Sequence, residues 1–96
     1  ILALGGAGVI SVASNVVPKQ MHDLCETYFA GDINKSRDIQ LALLPLIKSL
    51  FIEVNPIPAK TALAHLGKMS STLRLPLTQM SDENKQKLFA ELKKFY

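Results

Sequence analysis

Apolar positions along the chain follow two different rhythms, a compact β-like run near the start and helical stripes after it. Gly8-Val9-Ile10-Ser11-Val12 is a short run rich in β-branched residues, bounded by glycines and a polar loop, which predicts a buried strand. It is the only segment with that signature. One strand cannot satisfy its own backbone groups, so partner strands lie elsewhere or the segment adopts another conformation. Ahead of it, Ile1 to Leu4 reads as the last turn of a helix, with Gly5-Gly6 at its C-terminal cap.

After a loop at Ala13 to Val17 the helical period takes over. Pro18 suits a first helical position, and Met21, Leu24, Cys25, Tyr28 and Phe29 recur at i, i+3, i+4, i+7 and i+8, one face of a helix that Gly31 ends. Asp32 is a good N-cap for a second helix reaching about Glu53, with Ile39, Leu43, Leu46, Ile47, Leu50 and Phe51 on its apolar face. Pro45 inside it removes the bond to Leu41 and predicts a kink. Asn55-Pro56-Ile57-Pro58 is a stiff connector, because each proline pushes its predecessor out of the α region. A short helix follows from Pro58 to about Leu66, with Ala59, Ala62, Leu63 and Leu66 inward and Gly67 closing it. Lys68 to Met80 is irregular. Ser81 then N-caps a last helix with Asp82 and Glu83 at its positive end, Lys93 and Lys94 at its negative end, and Leu88, Leu92 and Phe95 as its stripe.

Composition changes this picture in two ways. A chain of 96 residues has a thin core, yet 48% of its residues are hydrophobic and only 20% charged. That excess implies apolar surface to be covered by something else. The net charge of +3 is mildly basic, without a basic run interleaved with aromatics, and so argues against nucleic-acid binding. The uncharged stretch from Ile1 to Val17 holds three glycines, two serines and Asn15, too polar for a membrane span. It also lacks the Met and positive start of a signal peptide. A chain that opens inside an apolar run without Met reads as a piece of something larger. Cys25 is alone, which fits a reducing cytoplasm and rules out an internal disulfide.

Candidate chemistry is sparse. Gly5-Gly6-Ala7-Gly8 lacks the Gly-Lys-Ser/Thr ending of a phosphate loop and precedes its strand. His22 and Cys25, three apart on one helix, lack further ligands beyond His65 and scattered carboxylates, so no metal is expected. Of nine lysines, Lys60 after the proline connector is the most interesting, since a Schiff-base lysine needs a desolvated pocket, although a solvated lysine is the default. The residues alone lead to a small, mainly α chain without a self-contained active site.

Three segments carry a family resemblance. Leu4 through Asn15, Leu50 through Lys60 (with Asn55-Pro56-Ile57-Pro58), and Leu73-Arg74-Leu75-Pro76-Leu77 resemble, in order and spacing, the last third of the dihydrodipicolinate synthase family. N-acetylneuraminate lyases share the barrel but fit these segments less well. The resemblance implies the last strand of a (β/α)8 TIM barrel plus the C-terminal helical domain of the Schiff-base aldolase/lyase superfamily. Residues 1–31 would end the barrel, and residues 32–96 would form the helical domain. It further implies a cytoplasmic, homotetrameric lyase of lysine (diaminopimelate) biosynthesis that condenses pyruvate with L-aspartate 4-semialdehyde and needs no cofactor. Its Schiff-base lysine, tyrosines, threonine, arginine and feedback site would lie upstream; neither Tyr28 nor Tyr96 matches the catalytic tyrosine. Ile10 matches a position whose main-chain carbonyl lies beside the pyruvate, with Gly8 and Val9 shaping the strand end. Leu4 matches a position near an oligomer interface. The chain alone is expected to be inactive and to self-associate. The rival readings are another pyruvate-dependent aldolase and a standalone helical interaction module.

Overall fold

A computed structural model describes residues 1–96. It holds four α-helices, two short 3₁₀ turns (Leu2–Leu4 and Ala13–Asn15) and no β-strand. The helices are α1 (Pro18–Phe29), α2 (Ile33–Ser49), α3 (Ile57–His65) and α4 (Asp82–Leu92). The chain divides into two compact units, Ile1–Leu44 and Pro45–Tyr96, with the division inside α2 at the proline.

In the first unit, the expected strand at Gly8–Val12 does not form. Residues 6–11 have no regular structure, and Val12 is already in the right-handed helical region (φ −63, ψ −39), leading into the Ala13–Asn15 turn. The reason is the one that makes a lone strand untenable: its amides and carbonyls have no ladder to join. The Leu2–Leu4 turn is closed by Gly5 in the left-handed region, as expected. Gly6 sits hard against the chain start, where an added Cβ would come within 2.6 Å of Ile1 Cγ2.

α1 begins with Pro18 in its first turn, where a missing N–H costs nothing. Met21 and Leu24 are buried, Cys25 and Tyr28 are half-buried and Phe29 is 54% exposed, so the stripe is only partly covered. At its end the Gly31 amide donates to Tyr28 O (3.0 Å) and the Asp32 amide to Thr27 O (2.9 Å), the paired closure of a Schellman cap. That closure needs the left-handed conformation that Gly31 adopts at φ 89. Asp32 then caps α2 through Oδ1, which accepts from the Lys35 amide at 3.1 Å. Ser36, buried on the first turn of α2, donates to Leu24 O at 2.8 Å and pins α2 to α1.

α2 continues through Pro45 but stops at Ser49, four residues short of the expected Glu53. Its bonds tighten to the three-residue spacing at Phe51 N–H to Lys48 O (3.2 Å) and Ile52 N–H to Ser49 O (3.5 Å). The β-branched Ile52 and Val54 and the pre-proline Asn55 disfavour another α-turn. Leu43, Leu46 and Leu50 are fully buried. Full burial of each contributes about 1.5–3 kcal/mol. Phe51, placed on the same face by sequence, falls beyond the helix end and is 55% exposed.

In the second unit, Ile57, Pro58, Ala59, Thr61 and Ala62 of α3 are buried, and the Thr61 hydroxyl donates a hydrogen bond to Ile57 O at 2.8 Å. Gly67 repeats the Schellman closure: its amide reaches Ala64 O (3.0 Å) and that of Lys68 reaches Leu63 O (2.9 Å). α4 packs against α3. Leu88 and Leu92 are fully buried, and the Phe89 ring stacks on the His65 imidazole with centroids 3.9 Å apart and planes at 15°. Ser81 Oγ accepts from the Asn84 amide at 3.3 Å, the cap expected from sequence. No helix is long and apolar enough to cross a membrane.

Candidate functional site

In the first unit the chain start, α1 and the first turns of α2 enclose an open groove of about 460 Å³. Gly8, Val9, Met21, Cys25, Tyr28 and Arg37 line it. Its walls are mostly apolar, with Tyr28, Ser36, Arg37 and Gln40 among the polar groups. Of the segment singled out by sequence, Gly8 and Val9 reach this groove. Ile10 stands outside it with its side chain fully exposed, and Leu4 is 92% exposed. The structure therefore brings together neither Ile10 nor Leu4 with any titratable group.

The remaining sequence candidates are likewise separate. Lys60 is half-buried as a residue and its amine donates to Thr72 O at 2.7 Å, so it serves as a tether for the following loop. His22 is exposed on α1 beside Asp23 (Nδ1 to Oδ1 3.4 Å), and no three of the His, Cys, Asp and Glu side chains gather closely enough to hold a metal ion. Asp23 is held below the usual carboxylate range, first by its hydrogen bond from Lys19 (2.5 Å) and then by that from His22. It forms an i, i+4 pair on a helix surface, as structural pairs do. Cys25 is half-buried in the groove wall.

Glu53, within the Leu50–Lys60 segment, was not distinguished by sequence. Its Oε2 accepts three hydrogen bonds, from the Ser81 amide (3.1 Å), the Ser81 hydroxyl (3.2 Å) and the Asn84 side chain (2.8 Å). These hold its carboxyl below the ordinary range; the Asn84 bond is the largest cause, and Lys85 adds attraction. Partners 28 and 31 residues away leave no local spacing that could have revealed it.

With this geometry in view, the comparisons with known proteins are consistent with one another. The Dihydrodipicolinate synthetase family matches residues 1–95. The 4-hydroxy-tetrahydrodipicolinate synthase of Thermoanaerobacter sp. (strain X514) is 52% identical over 95 residues, covering 99% of this chain and 32% of that protein. The enzyme of the same name from Clostridium perfringens (strain 13 / Type A) is 52% identical over 84 residues, covering 88% of this chain and 29% of its own length. The crystal structure of dihydrodipicolinate synthase from Thermotoga maritima superposes with a TM-score of 0.94 at 50% identity, over 97% of this chain and 32% of that one. A structure described as the first monomeric dihydrodipicolinate synthase variant gives the same TM-score, 0.94, at 51% identity. The chain thus spans about a third of the length of the curated relatives it matches. A match running from the first residue to the last but one, with helices superposing throughout, establishes that this chain belongs to the dihydrodipicolinate synthetase family.

Proposed function

We propose that this chain is the C-terminal part of a cytoplasmic Schiff-base lyase that condenses pyruvate with L-aspartate 4-semialdehyde in lysine (diaminopimelate) biosynthesis. The single observation that supports this most strongly is the 52% identity to a 4-hydroxy-tetrahydrodipicolinate synthase over 95 of 96 residues. In this reading an amine outside the chain attacks the pyruvate ketone, loses water to form the imine, and gives an enamine that adds to the aldehyde. Residues 1–31 would complete a (β/α)8 barrel, with Gly8–Val12 becoming its eighth strand once neighbouring strands supply the ladder. The Ile10 main-chain carbonyl would then face the pyruvate pocket, in keeping with barrel chemistry at the C-terminal ends of strands. Residues 32–96 would form the appended helical domain, and Leu4 would lie at a contact of a homotetramer. Full exposure of Ile10 and 92% exposure of Leu4 suit residues whose neighbours belong to the rest of such an enzyme.

The test is reductive trapping. Incubated with pyruvate and borohydride, this chain alone is expected to show no reduced adduct by mass spectrometry, whereas a polypeptide extended upstream through the barrel is expected to show one. An adduct on any of the nine lysines of this chain would overturn the assignment of the reactive amine elsewhere. Absence of an adduct from the extended protein would favour the standalone helical module, and trapping with turnover of a different aldehyde would favour another pyruvate-dependent aldolase.

A further inference from the structure

In a capping box, the side chain three residues into the helix turns back to the N-cap amide. Here that third position is Asn84, and its amide group is committed to Glu53 instead. The Ser81 N–H, left over by the local motif, is taken by the same Glu53 oxygen, which also accepts from the Ser81 hydroxyl. One carboxylate oxygen thus gathers the N-cap amide, the N-cap hydroxyl and the N3 side chain of α4, closing a loop that contains the proline connector, α3 and residues 68–80.

We propose that Glu53 is a proton-sensitive clasp, a positioning residue that supplies the missing half of the α4 capping box from a distant segment and releases the start of α4 when it is protonated. Ionised, the carboxylate only accepts, which suits three converging donors; protonated, it carries a hydrogen of its own and loses the charge that strengthens each bond. Its lowered proton affinity follows from those same donors. The charged groups at the start of the helix it meets are Asp82, Glu83 and Lys85, of which Lys85 adds attraction, while Lys87 and Glu91 lie further along. Lys85 is itself 3.8 Å from Asp82, so it is shared between two carboxylates. The segment that carries Glu53 offers no other charged side chain between Ser49 and Ala59.

The test follows the amide signals of Ser81 and Asn84 in the isotopically labelled 96-residue chain by nuclear magnetic resonance as the pH is lowered. The Ser81 amide is expected to move with a carboxylate titration lying below the ordinary glutamate range. That titration is expected to vanish in Glu53→Gln and to persist in Asp82→Asn and Glu83→Gln. Hydrogen exchange at pH 7 reads the same contact without acid: Glu53→Gln should speed exchange at Ser81 several-fold while leaving the Ser36 amide, bonded in the first unit to Asp32 O, unchanged. A Ser81 signal that does not titrate in the wild type, that still titrates in Glu53→Gln, or that follows Asp82 or Glu83 would overturn the proposal. So would unchanged Ser81 exchange in Glu53→Gln, or equal acceleration at Ser81 and Ser36, which would mark general destabilisation.

Discussion

Residues 7–10 and residues 68–80 are both irregular, yet their backbone polar groups are served in opposite ways. Gly8, Val9 and Ile10 exchange no hydrogen bond with the rest of the chain, and their side chains offer no donor or acceptor. In residues 68–80, side chains supply what regular structure does not. Lys60 holds Thr72 O, Gln79 donates to Ser71 O at 2.9 Å, and the Ser70 hydroxyl accepts from the Thr72 amide at 3.1 Å. A turn closes between Arg74 O and the Leu77 amide at 3.0 Å. A polar irregular segment can complete its own bonding, whereas an apolar β-branched one waits for a ladder that other strands must provide.

The comparison is broken most easily in the core. Leu88→Ala, at a fully buried position of the second unit, is expected to cost about 2–5 kcal/mol in denaturant unfolding, while Ile10→Ala, on a fully exposed side chain, should stay within about 0.5 kcal/mol. A large effect of Ile10→Ala would mean that residues 7–10 are already engaged by the rest of this chain. The glycines sharpen the contrast next. Gly31→Ala forces an L-residue to φ 89 and should cost about 1–2 kcal/mol, seen as a lowered unfolding midpoint; Gly8→Ala, with nothing within 4 Å of its added Cβ and an ordinary φ, should cost far less.

Capping and charge come last. Ser81→Ala removes the N-cap acceptor of α4 and should cost about 1 kcal/mol by the same measurement. For Glu53 the prediction is one of direction. A carboxyl whose proton affinity is lowered on folding stabilises the folded state above its unfolded-state pKa, and that contribution disappears as the pH falls through the folded-state value. Denaturation midpoints measured from pH 7 down through the carboxylate range should therefore fall less steeply in Glu53→Gln than in the wild type. Equal slopes would show that residues 68–80 and the start of α4 are held without the charge.

Local chemistry made most of the helical architecture legible. Pro18, Gly31, Asp32, Gly67 and Ser81 each act at a helix end through a bond or dihedral that depends on two to five neighbouring residues, and each stands where the sequence put it. What escaped depends on distant chain. The strand at Gly8–Val12 needs partners to exist, and the end of α2 moved from Glu53 to Ser49 because the connector's demands reach back past Asn55. Family membership was legible in three short segments and is borne out across residues 1–95. Ile10 and Leu4 were candidates only by resemblance, and both stand exposed within these 96 residues.

The face-to-face stack of His65 on Phe89 has a practical consequence. Protons on the imidazole lie in the shielding cone of the benzene ring, so their resonances are displaced upfield only while α3 and α4 stay docked. With no tryptophan in the chain to report by fluorescence, that ring current gives a label-free gauge of whether the second unit keeps its packing when the first is altered or removed.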